Sequence, residues 1–116
     1  MRIILAEDDD QLRDALEMHL EDHGHSVVTV YDSAQLLRHL KIEHFDAVVT
    51  DHHMPGMSGV TVLRTMRESP VLDKIPVIVL SGRTGIEAEV LALGGIFARK
   101  EELNRSLDDA LALIAA

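Results

Sequence analysis

The stretch VVTDHHMPGMSG, Val48 to Gly59, joins an apolar run to an acid, two histidines, a proline and two glycines. Ala47-Val48-Val49 is β-branched and apolar enough to read as a strand. Asp51 closes that strand, and Pro55, Gly56 and Gly59 then turn the chain sharply. A carboxylate fixed on a rigid strand end beside an open bend asks for a chemical reason, and the rest of the chain supplies one.

Four further apolar runs recur: Ile3-Ile4-Leu5, Val27 to Val30, Val77 to Leu80, and a weaker Ile96-Phe97-Ala98. Each is bounded by Asp, Gly, Ser or Pro or by a helical pattern, so each reads as a strand. Helical periodicity fills the intervals. Leu12, Ala15, Leu16 and Leu20 share a face that Gly24 terminates. Asp32 or Ser33 caps the next helix, with face Leu36, Leu37 and Leu40, and Ser58 caps a third carrying Val62, Leu63 and Met66. Thr84 and Glu87 have capping-box spacing before Ile86, Val90 and Leu93. The last helix starts near Glu101 and lines up Leu103, Leu107, Ala110, Leu111 and Ile114.

This alternation fits five successive βα units, and continuously apolar strands imply a parallel sheet covered by helices on both faces. Such folds bind ligands beyond the carboxyl ends of their strands, where strand order reverses.

Composition narrows the options. The 116 residues suit one domain, 1–116, with no output domain, linker or repeat. Eleven basic against twenty acidic residues leave a net charge of −9, which disfavours direct nucleic-acid binding. The absence of cysteine removes disulfides and thiolate metal sites and makes a reducing, cytoplasmic location the default. No apolar run is long enough to span a membrane or to form a signal peptide.

Inspecting the strand ends gives Glu7 to Asp10 after the first, Asp51 after the third, Ser81-Gly82 after the fourth and Lys100 after the fifth. If the first and third strands are neighbours, Glu7, Asp8 and Asp51 converge. Three carboxylates held together repel unless a cation sits among them, and an all-oxygen set points to Mg²⁺ or Mn²⁺. Lys100 adds a positive charge from another side. Alone, Glu7 to Asp10 is equally well explained as a solvated helix start favoured by the helix dipole.

Taken in order, RIILAEDDD, VVTDHHMPGMSG, PVIVLSGR and the RK at 99–100 make the chain resemble, over essentially all of its length, the receiver domain of two-component response regulators. The resemblance implies a flavodoxin-like doubly wound (βα)5 fold with strand order 2-1-3-4-5. It implies that Asp51 accepts a phosphoryl group and that Glu7, Asp8, Asp51 and the His53 backbone carbonyl bind Mg²⁺ (or Mn²⁺). Ser81 then matches the switch hydroxyl, Phe97 the switch aromatic, and Lys100 the lysine that holds a phosphoryl oxygen. The implied partners are a histidine kinase or histidine phosphotransfer protein and a downstream protein target or fused output domain. The implied role is that of an acceptor and not a turnover enzyme, a monomer or a phosphorylation-dependent dimer.

The chain departs from the family pattern in three places. Glu101 stands where the family has proline after the lysine, and a cis bond there would cost about 3 kcal/mol more than before proline. A trans bond and a differently aimed Lys100 are therefore expected. LALGGIFARK is about one residue short, and Phe97 lacks a tyrosine hydroxyl. The altered lysine loop favours, as an alternative, a pseudo-receiver acting as a phosphate-independent interaction module, and the intact Glu7, Asp8 and Asp51 set argues against it. A flavin or nucleotide domain is disfavoured because the first strand leads into an acidic loop with no glycine-rich phosphate cradle. His19, His23 and His25 have spacing that would suit Zn²⁺ on a helix face, against the plainer reading of surface histidines. His52 and His53 read as access-tuning side chains, and Arg99 as pointing away from Lys100.

Overall fold

All five apolar runs read as strands are strands in the computed structural model, which describes residues 1–82 and 85–116. The strands are β1 (Arg2–Ala6), β2 (Ser26–Val30), β3 (Ala47–Asp51), β4 (Val77–Ser81) and β5 (Ile96–Arg99). They alternate with α1 (Asp10–Asp22), α2 (Ser33–Ile42), α3 (Gly59–Arg67), α4 (Glu87–Ala92) and α5 (Leu103–Ala115). All pairings are parallel and the order is β2-β1-β3-β4-β5, the doubly wound arrangement expected.

Period-two geometry divides the core into two layers. Ile4, Ala6, Val48, Val77 and Val79 pack with Leu36, Leu40, Val62, Leu63, Met66 and Val90 of α2, α3 and α4. Ile3, Leu5, Ala47, Val49, Ile78 and Leu80 pack with Leu16 and Leu20 of α1 and with Leu107, Ala110 and Leu111 of α5. Each fully buried aliphatic side chain contributes roughly 1.5–3 kcal/mol, so the two layers carry most of the stability.

Local chemistry sets the helix ends. Asp9 caps α1 by accepting from Leu12 N at 3.1 Å, and Ser58 caps α3 by accepting from Thr61 N. For α2 the cap is Asp32, which accepts from Gln35 N at 2.8 Å. Ser33 is instead buried, its Oγ accepting from Met57 N at 2.7 Å and so tethering the loop that follows β3. Gly24 ends α1 at φ +88°, with the backbone N–H groups of Gly24 and His25 bonded to the carbonyls of Glu21 and Leu20. Ala15, expected on the buried face of α1, is exposed, because the buried stripe follows the i, i+4 row through Leu12, Leu16 and Leu20. The capping residue proposed for α4, Thr84, lies outside the described residues. After β5 the chain makes one 3₁₀ turn, Lys100–Glu102, before α5. Among the described residues no peptide bond is cis, so the Lys100–Glu101 bond is trans, as expected.

Because β1 pairs with β2 on one side and β3 on the other, the strand order reverses at β1 and β3. Their carboxyl ends face the crevice that this topology always creates.

Candidate functional site

Register brings the acids together. Ala6 lies opposite Thr50, so the next residues, Glu7 and Asp51, leave their strands side by side. Glu7 and Asp51 are buried at 1% and 2% exposure, whereas Asp8 is exposed at the rim. One carboxylate oxygen from each of Glu7, Asp8 and Asp51 lies within 4.8 Å of the others. Asp9 and Asp10 take no part in this cluster, since Asp9 caps α1 and Asp10 pairs with Arg13. The solvated helix-start reading fits Asp9 and Asp10, whereas Glu7 is buried at the end of β1.

Lys100 enters from the end of β5. Its Nζ lies 2.9 Å from Asp51 Oδ1 and 3.6 Å from Glu7 Oε1. The lysine is therefore aimed into the pocket despite the missing proline, contrary to the sequence expectation. The 3₁₀ turn places the residue at the rim, and its four-carbon stem spans the remaining distance. Arg99, the last residue of β5, is exposed.

Electrostatics follows from this crowding. Burial, and then the charge of Asp51, push the Glu7 carboxyl up to about 7. Burial alone would lower Lys100, but its contacts with Asp51 and Glu7 outweigh that and its pKa is raised. Glu7 Oε1 and Asp51 Oδ1 are buried and receive no well-aligned hydrogen bond from the described residues, although both face the Lys100 ammonium. One ammonium does not balance three carboxylates. Buried, under-satisfied oxygens in an all-carboxylate set fit a hard divalent cation that retains water ligands.

The surrounding residues hold this geometry. Gly59 N donates to His52 O at 2.9 Å, and a Cβ on Gly59 would stand 2.7 Å from Asp51 O, so only glycine lets α3 start this close to β3. Gly56, at φ +87°, makes the turn between them. Arg13 of α1, which the sequence did not single out, donates from Nη1 to Glu7 O at 2.9 Å and pins the end of β1. Its only local signal was the i, i+3 pairing with Asp10. Ser81 is buried at the end of β4, next to β3. Phe97 is half-buried against the α2–α4 layer of the core, opposite Val79. His52 is half-buried, and the exposed His53 ring meets it edge-on at 4.9 Å between centroids. The suggested histidine trio is not assembled as expected: His19 and His23 meet Asp108, whereas His25 Nδ1 lies 3.0 Å from the Met1 amino group.

The fold and pocket define a doubly wound α/β domain whose strand-end carboxylates, faced by one lysine, are arranged for a hard cation. The chain belongs to the response regulator receiver domain family, whose model matches residues 3–95. It is 37% identical over 94 residues to the cell cycle response regulator CtrA of Brucella ovis, an alignment covering 81% of this chain and 40% of that protein. The same figures hold for CtrA of Brucella canis. The chain therefore spans about two fifths of the length of the curated relatives it matches. It superposes with a TM-score of 0.86 on the chemotaxis response regulator CheY4 of Vibrio cholerae, at 24% identity over 97% of both chains. It also superposes, with a TM-score of 0.85 at 24% identity, on the receiver domain of sensor histidine kinase PA1611 from Pseudomonas aeruginosa, which holds a magnesium ion in its active site cleft. That match covers 99% of this chain and 98% of the other. No helix among the described residues is long and apolar enough to cross a membrane.

Proposed function

We propose that this receiver domain accepts a phosphoryl group on Asp51 from the phosphohistidine of a histidine kinase or histidine phosphotransfer protein. The observation that carries the reading is Lys100 Nζ at 2.9 Å from Asp51 Oδ1 in the same pocket as Glu7 and Asp8. An Asp51 carboxylate oxygen bonds to phosphorus as the P–N bond of phosphohistidine breaks, and the imidazole nitrogen keeps that electron pair and takes up a proton. A carboxylate is a weak nucleophile, so what the chain contributes is positioning and neutralisation of charge. Glu7, Asp8, Asp51 and the His53 backbone carbonyl would hold Mg²⁺ (or Mn²⁺), which when bound neutralises charge developing on the phosphoryl oxygens. Lys100 holds a phosphoryl oxygen from the opposite side. Gly56 and Gly59 let the chain turn sharply after Asp51 and start α3 close against the end of β3.

The output follows from the same residues. Phosphate on Asp51 presents new acceptors, and Ser81 Oγ donates to one of them, with Phe97 repacking towards the core. The phosphorylated face then engages a downstream protein or a fused output domain, in the cytoplasm. The protein acts as a phospho-acceptor and not as a turnover enzyme. The missing proline had favoured a phosphate-independent module, and the placement of Lys100 removes that support.

Incubation with acetyl phosphate and Mg²⁺ followed by intact-mass measurement tests this. Wild type is expected to gain one phosphoryl group and Asp51→Asn none. No gain from acetyl phosphate or from a phosphorylated kinase overturns the proposal.

A further inference from the structure

We propose that His19, His23 and Asp108 form a second cation site, for a borderline transition-metal dication of the Zn²⁺ class, joining α1 to α5. It is separate from the acid pocket, because His19 lies nine residues beyond Asp10 along α1, about 14 Å away at the helical rise. The two imidazoles sit one turn apart on the same helix face, with ring centroids 4.4 Å apart. Asp108 approaches both from α5, its Oδ1 2.7 Å from His19 Nε2 and its Oδ2 4.0 Å from His23 Nε2. One ligand atom from each of the three residues lies within 4.8 Å of the others.

The donor chemistry is unlike that of the acid pocket. Two imidazoles and one carboxylate suit zinc, and poorly suit Mg²⁺ or Ca²⁺. Ligand atoms around tetrahedral zinc stand about 3.3 Å apart, so each side chain would have to move by less than about 1 Å.

The backbone contact of His23 is compatible with this role. His23 Nδ1 lies 2.8 Å from the carbonyl oxygen of His19. A carbonyl only accepts, so in the neutral ring Nδ1 carries the proton and Nε2 carries the lone pair. That Nε2 is the atom facing Asp108. Fixing a ligating imidazole through its other nitrogen is the usual second-sphere arrangement of metal-binding histidines.

Access is also present. His23 and Asp108 are half-exposed, and a groove of about 350 Å³ lined by Met1, His23, His25, Asp108 and Leu111 opens beside them. The fourth position therefore faces a space where water or an exogenous ligand fits. An ordinary His–Asp ion pair accounts for His19 alone. His23 brings a second imidazole towards the other oxygen of the same carboxylate, so that three potential ligand atoms converge where an ion pair needs two.

The test is calorimetric titration of the chelator-treated full chain with Zn²⁺, on wild type, Asp51→Asn, His23→Gln and Asp108→Asn. Wild type and Asp51→Asn are expected to bind one equivalent alike, and the other two variants at least about tenfold more weakly. Substituting Co²⁺ should give the absorption bands of a tetrahedral site, absent from His23→Gln. His23 is half-exposed, so that variant keeps its fold and remains informative if Asp108→Asn does not. Unchanged Zn²⁺ affinity in His23→Gln or in Asp108→Asn overturns the three-ligand site. Loss of binding in Asp51→Asn assigns the ion to the acid pocket and overturns it equally.

Discussion

Lys100 Nζ stands 2.9 Å from Asp51 Oδ1 although glutamate, not proline, follows the lysine. The position is set from behind: Leu107, Ala110 and Leu111 seat α5 on the sheet, and the 3₁₀ turn connects α5 directly to β5. Lys100→Met keeps the stem and removes the charge. Phosphorylation of Asp51 by acetyl phosphate is expected to fall at least about tenfold, since an electrostatic contact of this kind is typically worth that much. Mg²⁺ affinity is expected to rise, because the ammonium and the ion compete for the same carboxylates. Calorimetry showing equal or weaker Mg²⁺ binding in the variant would remove this electrostatic account of the pocket.

Glu7 makes the site pH-dependent with a definite sign. Its carboxyl is raised from 4.5 to about 7, first by burial and then by Asp51. The folded chain therefore holds this proton more tightly than the unfolded chain does. The associated stability is complete below the unfolded value and is lost as pH rises towards 7, a difference on the order of 3 kcal/mol. Metal binds the ionised form, so Mg²⁺ affinity should climb as pH approaches 7 and level off above it. Urea unfolding in chelator between pH 5 and pH 8 checks the first statement, and Mg²⁺ titration over the same range checks the second. Asp51→Asn removes one of the raising causes and should move both profiles to lower pH.

The fold was legible because each strand is built on a short run of mainly aliphatic residues and helical periodicity fills the intervals, so local signals agreed with the tertiary result. The acid pocket was legible for a different reason: a topological rule converts strand-end positions into neighbours without any knowledge of side-chain geometry. What could not be read depended on distant partners. Asp32 and Ser33 are both competent caps, and the choice between them is made by the Pro55–Met57 backbone, which Ser33 engages from 24 residues away at Met57. The approach of Asp108 to His19 spans 89 residues and leaves no local trace. The aim of Lys100 depended on how α5 packs, which a missing proline does not report.

Gly59 is predicted to be indispensable to the site, for reasons of space and not of backbone freedom. A Cβ there would meet Asp51 O at 2.7 Å and His52 Cα at 3.0 Å, and backbone atoms cannot step aside. Gly59→Ala should destabilise by about 1–3 kcal/mol through overpacking and should slow phosphorylation, because the strain falls on the residue that carries the acceptor. Gly24→Ala is the control. Its Cβ meets nothing within 4 Å, but φ is +88°, so it should cost about 1–2 kcal/mol from backbone conformation alone. Urea unfolding with parallel phosphorylation rates separates the two. Equal phosphorylation rates in both variants would mean that the close approach of α3 to β3 does not position Asp51.

Arg67 should prove the main polar fastening of the α4 side of the domain. At the end of α3, its guanidinium donates from Nη1 to Asp73 O at 3.0 Å and to Ile75 O at 2.9 Å, and from Nε to Leu93 O at 2.9 Å and Nη2 to Gly94 O at 3.1 Å. Three elements are thereby joined: α3, the segment leading into β4, and the carboxyl end of α4, whose last carbonyls have no helical partner and attract a cation. Lysine carries the same charge but not the planar fork that reaches carbonyls on two sides. Hydrogen bonds to a charged group contribute about 1.5–3 kcal/mol, so Arg67→Met should cost at least that much and Arg67→Lys part of it. The loss should be local as well as global, with amide exchange accelerating first near Leu93 and Gly94 and the β1–β3 amides staying protected until global unfolding. Uniform acceleration across the sheet would show instead that Arg67 acts through the core and not through these carbonyls.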